Sequence, residues 1–165
     1  MKYIDGTSKT TTPQIINVLS LQHYMRGIGE ASDNQSQTKA NVLALLSKAY
    51  AMYYMGGTIR HPSVPEKALY NAIDDPRMFQ KYVGAGWEQH SRQRPAALTA
   101  TSGKYLVYAD TLPILPYFHC SAGFTRSGNE KRGWKDTPYL MSVADDAGSC
   151  GDGEFQGHGV GLSGK

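Results

Sequence analysis

Glycine and proline are the residues that most constrain how this chain can fold. Among its 165 residues are 18 glycines and 8 prolines, spread along the sequence together with 11 tyrosines. Glycine weakens helix interiors and proline breaks them, so long uninterrupted helices are disfavoured over most of the chain. This pattern excludes a plain helical bundle and a coiled coil, and it predicts short elements joined by shaped loops.

Length and charge narrow the possible classes. A chain of 18.1 kDa fits one domain, so we expect residues 1–165 to form a single domain. The net charge of +3 and the lack of a basic block argue against nucleic acid as a partner. The densest basic positions, Arg92, Arg94 and the pair at 131–132, are predicted to lie in solvated loops. No run approaches the roughly 18 apolar residues of a membrane span, so no span is predicted.

Hydrophobic periodicity predicts two helices in the first third of the chain. Ser20 is a favourable N-cap for a short helix whose apolar side chains recur at the spacing of one helical face. Gly27 and Gly29 are predicted to end that helix and to place Glu30 just past it. A second, longer helix is predicted over residues 38–55 from its continuous apolar stripe.

Short apolar runs rich in β-branched and aromatic residues predict strands, at residues 14–19, 104–108, 114–119 and 139–143. Residues 109–113 are expected to form a hairpin loop between two of them. A strand, helices, an irregular middle and further strands together predict an α+β fold. We expect two N-terminal helices, one of them long, packed on a small and mostly antiparallel sheet.

Glu30 is the first candidate for chemistry. It is predicted on a glycine-flanked corner between the two helices, from which a side chain can project into a cleft. A carboxylic acid in partly apolar surroundings has a raised pKa and can act as a general acid. The alternative interpretation is a solvated loop residue, as most exposed acids are.

Two loops are candidates for binding. Residues 117–125 leave a predicted strand and enter a loop of small and hydroxyl residues, whose N–H groups and hydroxyls can meet a polyhydroxylated or anionic ligand. Residues 157–163 place three glycines around His158, which permits close backbone approaches. The alternatives are a strand-end turn and a structural histidine. A phosphate loop is excluded, because the required lysine and the strand–loop–helix unit are missing.

The two cysteines, Cys120 and Cys150, leave three possibilities open. They can form a disulfide, remain free thiols, or join His119 and His158 in a metal site. The spacing is not that of a zinc motif, because a histidine and a cysteine are adjacent and no Cys-x-x-Cys is present. We therefore predict no metal and no other cofactor. A disulfide is favoured if the domain lies outside the cytoplasm.

Six segments, taken together and in order, resemble the SpoIID/LytB family of bacterial cell-wall proteins, the family of stage II sporulation protein D. Residues 17–28 are similar to the family's NVLPLEDYLYGVV opening, and residues 48–51 to the ARTYA end of its long helix. Residues 104–125 resemble its hairpin and YFSSSGGYT loop. Residues 134–143 resemble its W…PYLxSV segment, and residues 157–163 its GHGVGMSQ segment. The sixth match is Glu30, at the position of the family's catalytic glutamate.

The resemblance implies roles for individual residues. Glu30 would be the catalytic residue, and Lys48 stands where the family has an arginine, which keeps the charge but loses the planar fork. The residues expected to bind substrate are Lys48, Ser121, Gly123, Thr125, His158 and Ser163. Zinc, reported for some members of the family, is not carried over, because this sequence has no convincing cluster of cysteine and histidine.

The resemblance also implies an activity. It indicates a lytic transglycosylase that cleaves peptidoglycan glycan strands, with one glutamate as general acid and then base and a 1,6-anhydro sugar as product. No second carboxylate is then needed, unlike in glycoside hydrolases. The second interpretation is a non-catalytic amidase enhancer, which would bind wall glycan or a partner cell-wall hydrolase without cutting. A thiol- or metal-dependent hydrolase using Cys120 is a more distant alternative.

An extracytoplasmic location, in the cell envelope or secreted, follows from the same resemblance. Residues 1–6 contain no apolar signal segment, and the family's continuation after its glycine–histidine motif is missing beyond Lys165. We therefore expect a domain excised from a larger exported protein and truncated at its carboxyl end.

Overall fold

The chain forms a small α+β structure with one long helix, as the sequence predicts. The structure is a computed structural model that describes residues 15–30, 34–55, 60–66, 68–84, 86–87, 91–132 and 136–164. In chain order, its elements are α1 (Leu21–Arg26), α2 (Gln37–Met55), α3 (Gln93–Ala100), β1 (Tyr117–Phe118), α4 (Gly128–Arg132) and β2 (Leu162–Ser163). Internal contacts divide the chain into two compact units, Met1–Leu112 (unit 1) and Pro113–Lys165 (unit 2).

The first helix of unit 1 begins and ends where the sequence predicts. Ser20 is the N-cap, and its side-chain oxygen accepts a hydrogen bond from the N–H of His23 at 3.2 Å. Gly27 follows the helix, and its N–H donates to the carbonyl of Tyr24 at 3.0 Å. Ser20 and Gly27 therefore limit α1 to six residues, and the segment that carries Glu30 follows directly after the helix.

The core of unit 1 is built around α2. Ala40 and Ala44 on this helix pack against Ala97 on α3, and all three are almost fully buried. Because alanine side chains are short, the two helices can approach closely along this contact. A second cluster, of Val64, Tyr70 and Ile73, lies within the irregular segment that follows α2.

Two predicted strands of unit 1 are absent from the described residues. Residues 15–19 form no strand: Ile16 takes part in an isolated bridge only, and Val18 is 92% exposed. Residue 14, which the prediction also included, lies outside the described part. Residues 104–107 form no strand either, and Tyr105 and Val107 are more than half exposed. The prediction relied on apolar runs in the sequence, but a strand also needs a neighbouring strand to pair with its backbone N–H and C=O groups.

A tight turn occupies the place of the predicted hairpin loop. Tyr108 and Thr111 exchange two backbone hydrogen bonds of 3.0 Å, and the two residues between them, Ala109 and Asp110, have φ angles of 47° and 59°. Positive φ at both central positions is typical of the type I′ turn of hairpins. The pairing stops at this single bridge, so the turn is shorter than predicted and closes no two-stranded hairpin.

The sheet of unit 2 is parallel, which corrects the expectation of a mostly antiparallel sheet. Tyr117 pairs with Leu162 and Phe118 pairs with Ser163. A parallel pair needs a long connection between its strands, and the 43 residues from 119 to 161 provide it. The prediction considered only neighbouring apolar runs, for which a hairpin is the simplest connection, and it missed β2 because that strand lies in a glycine-rich segment.

The remaining predicted strand, residues 139–143, begins in a turn at Tyr139 and continues as a segment that binds Thr125. The N–H of Thr125 donates to the carbonyl of Val143 at 2.8 Å, and the hydroxyl of Ser142 donates to the carbonyl of Thr125 at 2.7 Å. Side chains therefore take part in this pairing, and no regular strand results. None of the helices in the described residues is long and apolar enough to cross a membrane.

Candidate active site

Glu30 is held on a backbone segment that binds a distant loop. The N–H of Gly29 donates to the carbonyl of Lys81 at 3.0 Å, and the N–H of Val83 donates to the carbonyl of Gly27 at 2.8 Å. These two bonds join positions more than fifty residues apart in the sequence. They fix the direction in which the chain leaves α1, and so the position of the glutamate.

The two glycines before Glu30 are needed for close packing. A Cβ atom on Gly27 would clash with the ring of Tyr82, and one on Gly29 would lie 2.8 Å from a methyl group of Val83. The Tyr82 ring is stacked on Tyr24, with ring centres 5.5 Å apart and planes inclined by 5°. The φ angle of Gly27 is −83°, which other residues also adopt. Glycine is therefore needed here because the Tyr82 ring leaves no room for a Cβ atom, and not because of the backbone conformation.

The carboxyl group of Glu30 titrates near neutrality. Its Oε1 atom accepts a hydrogen bond from the N–H of Lys81 at 2.8 Å. Glu30 is exposed, but the protein around its carboxylate removes enough hydration to raise the pKa to about 7. The Lys81 N–H and the positive charges of Arg94 and Lys81 act in the opposite direction, so loss of hydration is the dominant effect.

A buried polar network extends from Arg94. Only 6% of this arginine is exposed, and its Nε and Nη2 atoms donate to the carbonyl of Met25 at 3.0 Å and to the hydroxyl of Ser47 at 3.1 Å. The side-chain amide of Gln80 donates to the Ser47 carbonyl at 2.9 Å and accepts from the Tyr24 hydroxyl at 3.1 Å. The network ties α1, α2 and α3 to the loop that holds Glu30.

Arg94 carries a positive charge in this buried position, which corrects the prediction of a solvated loop. Loss of hydration lowers the pKa of Arg94 to about 10, so the guanidinium is still charged at pH 7. The negative charge of Glu30 opposes that shift. A sequence signal was present: Arg94, Ala97 and Thr101 recur at the spacing of one helical face, and all three are buried.

Lys48, a predicted substrate-binding residue, serves a contact within unit 1. Its ammonium group donates to the carbonyl of Thr101 at 3.0 Å and lies 4.8 Å from the ring centre of Tyr105. Loss of hydration lowers its pKa. Lys48 thus connects α2 to the turn after α3, and no ion pair joins it to Glu30 in the described residues.

The predicted loop residues of unit 2 are brought together, but two of them face inwards. Ser121 is completely buried, and its hydroxyl donates to the carbonyl of Asp145 at 3.1 Å and accepts from the N–H of Gly123 at 3.2 Å. The Thr125 hydroxyl is also buried and donates to the carbonyl of Met141 at 3.1 Å. The structure gives these hydroxyls an internal role, which is to hold the loop in shape.

His158 and Ser163 occupy the second predicted loop and are half-buried. The Nδ1 atom of His158 accepts from the N–H of Val160 at 3.1 Å, which assigns the ring proton to Nε2. The imidazole lies 5.7 Å from the ring of Phe118. Ser163 is part of β2. Its hydroxyl oxygen fills the space that a Cβ atom on Gly148 would need.

The cysteine alternatives resolve in favour of a disulfide. Cys120 and Cys150 are bonded to each other, so neither presents a free thiol. A cysteine nucleophile needs a thiolate, and the hydrolase alternative that relied on Cys120 has none in this state. No group of three or more histidine, cysteine or acidic side chains is arranged for a metal ion among the residues described.

An apolar cavity of about 370 Å³ lies elsewhere in unit 1. Its walls include Leu19, Met52, Met55 and Tyr70. Tyr24 is the one residue of the Arg94 network that also lines this cavity. Glu30 is not among its lining residues. The candidate acid therefore lies outside this cavity.

Comparison with models of known protein families and with curated proteins finds no match for the chain.

Proposed function

We propose that this chain is a lytic transglycosylase acting on peptidoglycan glycan strands. The observation that carries the proposal is the carboxyl group of Glu30, whose pKa of about 7 suits a group that both donates and accepts a proton. Support also comes from the six ordered segments that resemble the SpoIID/LytB family, in which Glu30 stands at the position of the catalytic glutamate.

The reaction needs a single acid–base residue. Protonated Glu30 donates its proton to the glycosidic oxygen that leaves the anomeric carbon of N-acetylmuramic acid, and the bond between them breaks. The resulting carboxylate then removes the proton from the 6-hydroxyl of the same sugar. That oxygen attacks the anomeric carbon and closes a 1,6-anhydro ring. The proton lost in the first step is recovered in the second, so no water is consumed.

The surroundings of Glu30 suit both steps. Loss of hydration keeps a substantial fraction of the carboxyl group protonated at pH 7, and the N–H of Lys81 stabilises the carboxylate after the proton has left. The buried charge of Arg94 contributes in the same direction as the Lys81 N–H. The transition state carries positive charge on the sugar, and a carboxylate nearby stabilises it.

An extracytoplasmic site of action is part of the proposal, because peptidoglycan lies outside the cytoplasmic membrane. The disulfide between Cys120 and Cys150 supports this location, since such bonds persist in oxidising compartments and are rare in the cytosol. The proposed partner is therefore the glycan strand itself, with a second cell-wall hydrolase as the partner under the enhancer interpretation.

Product analysis tests the activity. Glycan strands freed of stem peptides are incubated with the protein, and the fragments are analysed by mass spectrometry. We expect fragments that end in 1,6-anhydro-N-acetylmuramic acid, lighter by one water than hydrolysis products. Fragments with reducing ends would instead indicate a hydrolase with a second carboxylate. Glycan binding without any fragments would favour the amidase enhancer.

Replacement of Arg94 by glutamine is expected to change the pH dependence. In the wild-type protein, kcat/KM should fall as pH rises through about 7, because Glu30 must start protonated. The charge of Arg94 lowers the pKa of Glu30, so its removal raises that pKa and moves the fall to higher pH. Stability should decrease by about 1–3 kcal/mol, because buried acceptors lose their donors. Rates of anhydro-product release across neutral pH and urea unfolding measure both effects.

Ser47→Ala provides the matched control for Arg94→Gln. It removes a hydroxyl from the same buried network and leaves the charge of Arg94 in place. We expect it to lower stability without moving the pH midpoint. An equal midpoint for wild type and Arg94→Gln would contradict the electrostatic role of Arg94.

A further inference from the structure

Unit 2 contains an arginine, Arg126, whose guanidinium is stacked on an aromatic ring. The guanidinium carbon of Arg126 lies 3.9 Å from the centre of the Phe155 ring. Within the part of the chain that the structure describes, this guanidinium has no ion pair and no hydrogen bond. The contact orients the planar group against the ring and leaves its N–H donors available.

The glycine-rich segment builds this contact. The N–H of Arg126 donates to the carbonyl of Gly159 at 2.7 Å, and Arg126 forms a parallel bridge with Val160. A Cβ on Gly159 would lie 2.8 Å from the Phe155 ring and 3.1 Å from Cδ of Arg126, and the φ angle of this glycine is 80°. Glycine at position 159 thus permits both the backbone conformation and the approach of the two side chains.

An exposed aromatic ring adjoins the pair. Phe124 packs edge-on against Phe155, with ring centres 5.2 Å apart and planes inclined by 88°. Phe124 is 47% exposed, although its size and apolar character would favour burial. Arg126, Phe155 and Phe124, here called the Arg126 stack, therefore combine a planar cation with an apolar surface open to solvent.

We propose that the Arg126 stack binds a sugar that carries a carboxylate, namely the lactyl carboxylate of a peptide-free N-acetylmuramic acid residue. A guanidinium can bind a carboxylate through two parallel hydrogen bonds, and an aromatic ring can cover the apolar face of a pyranose. The inference rests on the proposed function and adds the subsite that would recognise the acidic sugar.

The charge of unit 2 favours a single carboxylate over a polyanion. Residues 113–165 contain six acidic and five basic side chains, so this unit has no excess of positive charge. Binding of a nucleic acid requires the neutralisation of several phosphates, and one arginine cannot provide it. One oriented guanidinium is instead matched to one carboxylate per sugar. When a stem peptide is attached, the lactyl carboxylate is an amide, and this match is lost.

Binding measurements on three glycans test the subsite. The ligands are peptide-free strands, the same strands with the lactyl carboxylates converted to amides, and chains of N-acetylglucosamine, which have no lactyl group. All proteins carry Glu30→Gln, so that no ligand is consumed. Arg126→Gln should weaken binding to the acidic strands by roughly 10-fold or more, and it should leave binding to the other two ligands unchanged. Phe124→Ala should weaken binding to all three.

Two further variants serve as controls. Arg126→Lys keeps the charge without the fork, and we expect intermediate binding. Lys104→Gln removes one exposed positive charge outside unit 2 and should bind as the parent does. Equal loss of affinity for acidic and amidated strands on Arg126→Gln would overturn the subsite, and the proposed function would stand if wild type still releases anhydro product. Failure of both the wild type and the Glu30→Gln parent to bind any of the glycans would overturn both.

Discussion

A Glu30→Gln variant should fold as the wild type does and release anhydro fragments at least about 100-fold more slowly. An amide has no acidic proton for the glycosidic oxygen, and it cannot become the base that activates the 6-hydroxyl. The amide oxygen can still accept the hydrogen bond that Lys81 donates, so the backbone around position 30 should be preserved. Fragment release from peptide-free glycan measures the loss, and thermal unfolding together with glycan binding checks the fold.

The matched control for this experiment is Glu66→Gln. Glu66 is an exposed acid of the same unit, and the change removes the same negative charge. Its rate of fragment release should equal that of the wild type. If Glu30→Gln released anhydro fragments at the wild-type rate, Glu30 would not be the acid, and the mechanism proposed for this site would be wrong. Loss of glycan binding together with activity would instead assign Glu30 to substrate binding.

The local part of the fold was predictable from the sequence. Ser20 and Gly27 mark the ends of α1, and the stripe of α2 marks a helix that the structure places at Gln37–Met55. Caps and helical periodicity act over a few residues, so one sequence contains them in full. The strands were less predictable, because their pairing partners are set by the whole unit. The partner of Phe118 is Ser163, which no local pattern indicates.

The site divides in the same way. Glu30 was predicted because glycines flank it and because of its place in the resemblance to a known family. The backbone that holds Glu30, at Lys81 and Val83, lies in a segment that the sequence predicts to be irregular. Hydrogen bonds between residues more than fifty positions apart leave no periodic signal in the sequence. The serine and threonine hydroxyls of the loop at 121–125 were predicted to meet a ligand, and the structure directs them towards carbonyl groups of the same unit.

Arg94 and Arg126 show why charge alone misleads. Arg94 is predicted to lie in a solvated loop, since arginine is mostly exposed, and no sequence feature singles out Arg126. The first is buried in a network with four other residues of unit 1, and the second is stacked on an aromatic ring. Burial and stacking depend on what other segments bring near each side chain. The spacing of Arg94, Ala97 and Thr101 on one face of α3 was the one sequence feature that indicated the burial of Arg94.

Removal of the disulfide should have the largest effect on stability. Cys120 and Cys150 are 30 residues apart, and a bond that closes a loop of this length typically contributes about 2–4 kcal/mol by restricting the unfolded chain. The double variant Cys120→Ser, Cys150→Ser should therefore unfold at a lower urea concentration. Amide hydrogen exchange measures the effect in unit 2, at the N–H groups of Thr125 and Arg126, which donate to backbone carbonyls.

The bond also reinforces contacts on both sides of Cys120. The N–H of Cys150 donates to the carbonyl of Ser121 at 2.8 Å, and Cys120 forms a bridge with Gln156 just before the Gly157–Ser163 segment. Loosening this region should disorder the Arg126 stack. A reductant should therefore weaken the binding of acidic glycan by the wild type and leave the binding by the double variant unchanged. Equal urea midpoints for the oxidised and reduced wild type would contradict this role. If the midpoints differ as expected, full stability of unit 2 requires an oxidising compartment, which is where the proposed substrate lies.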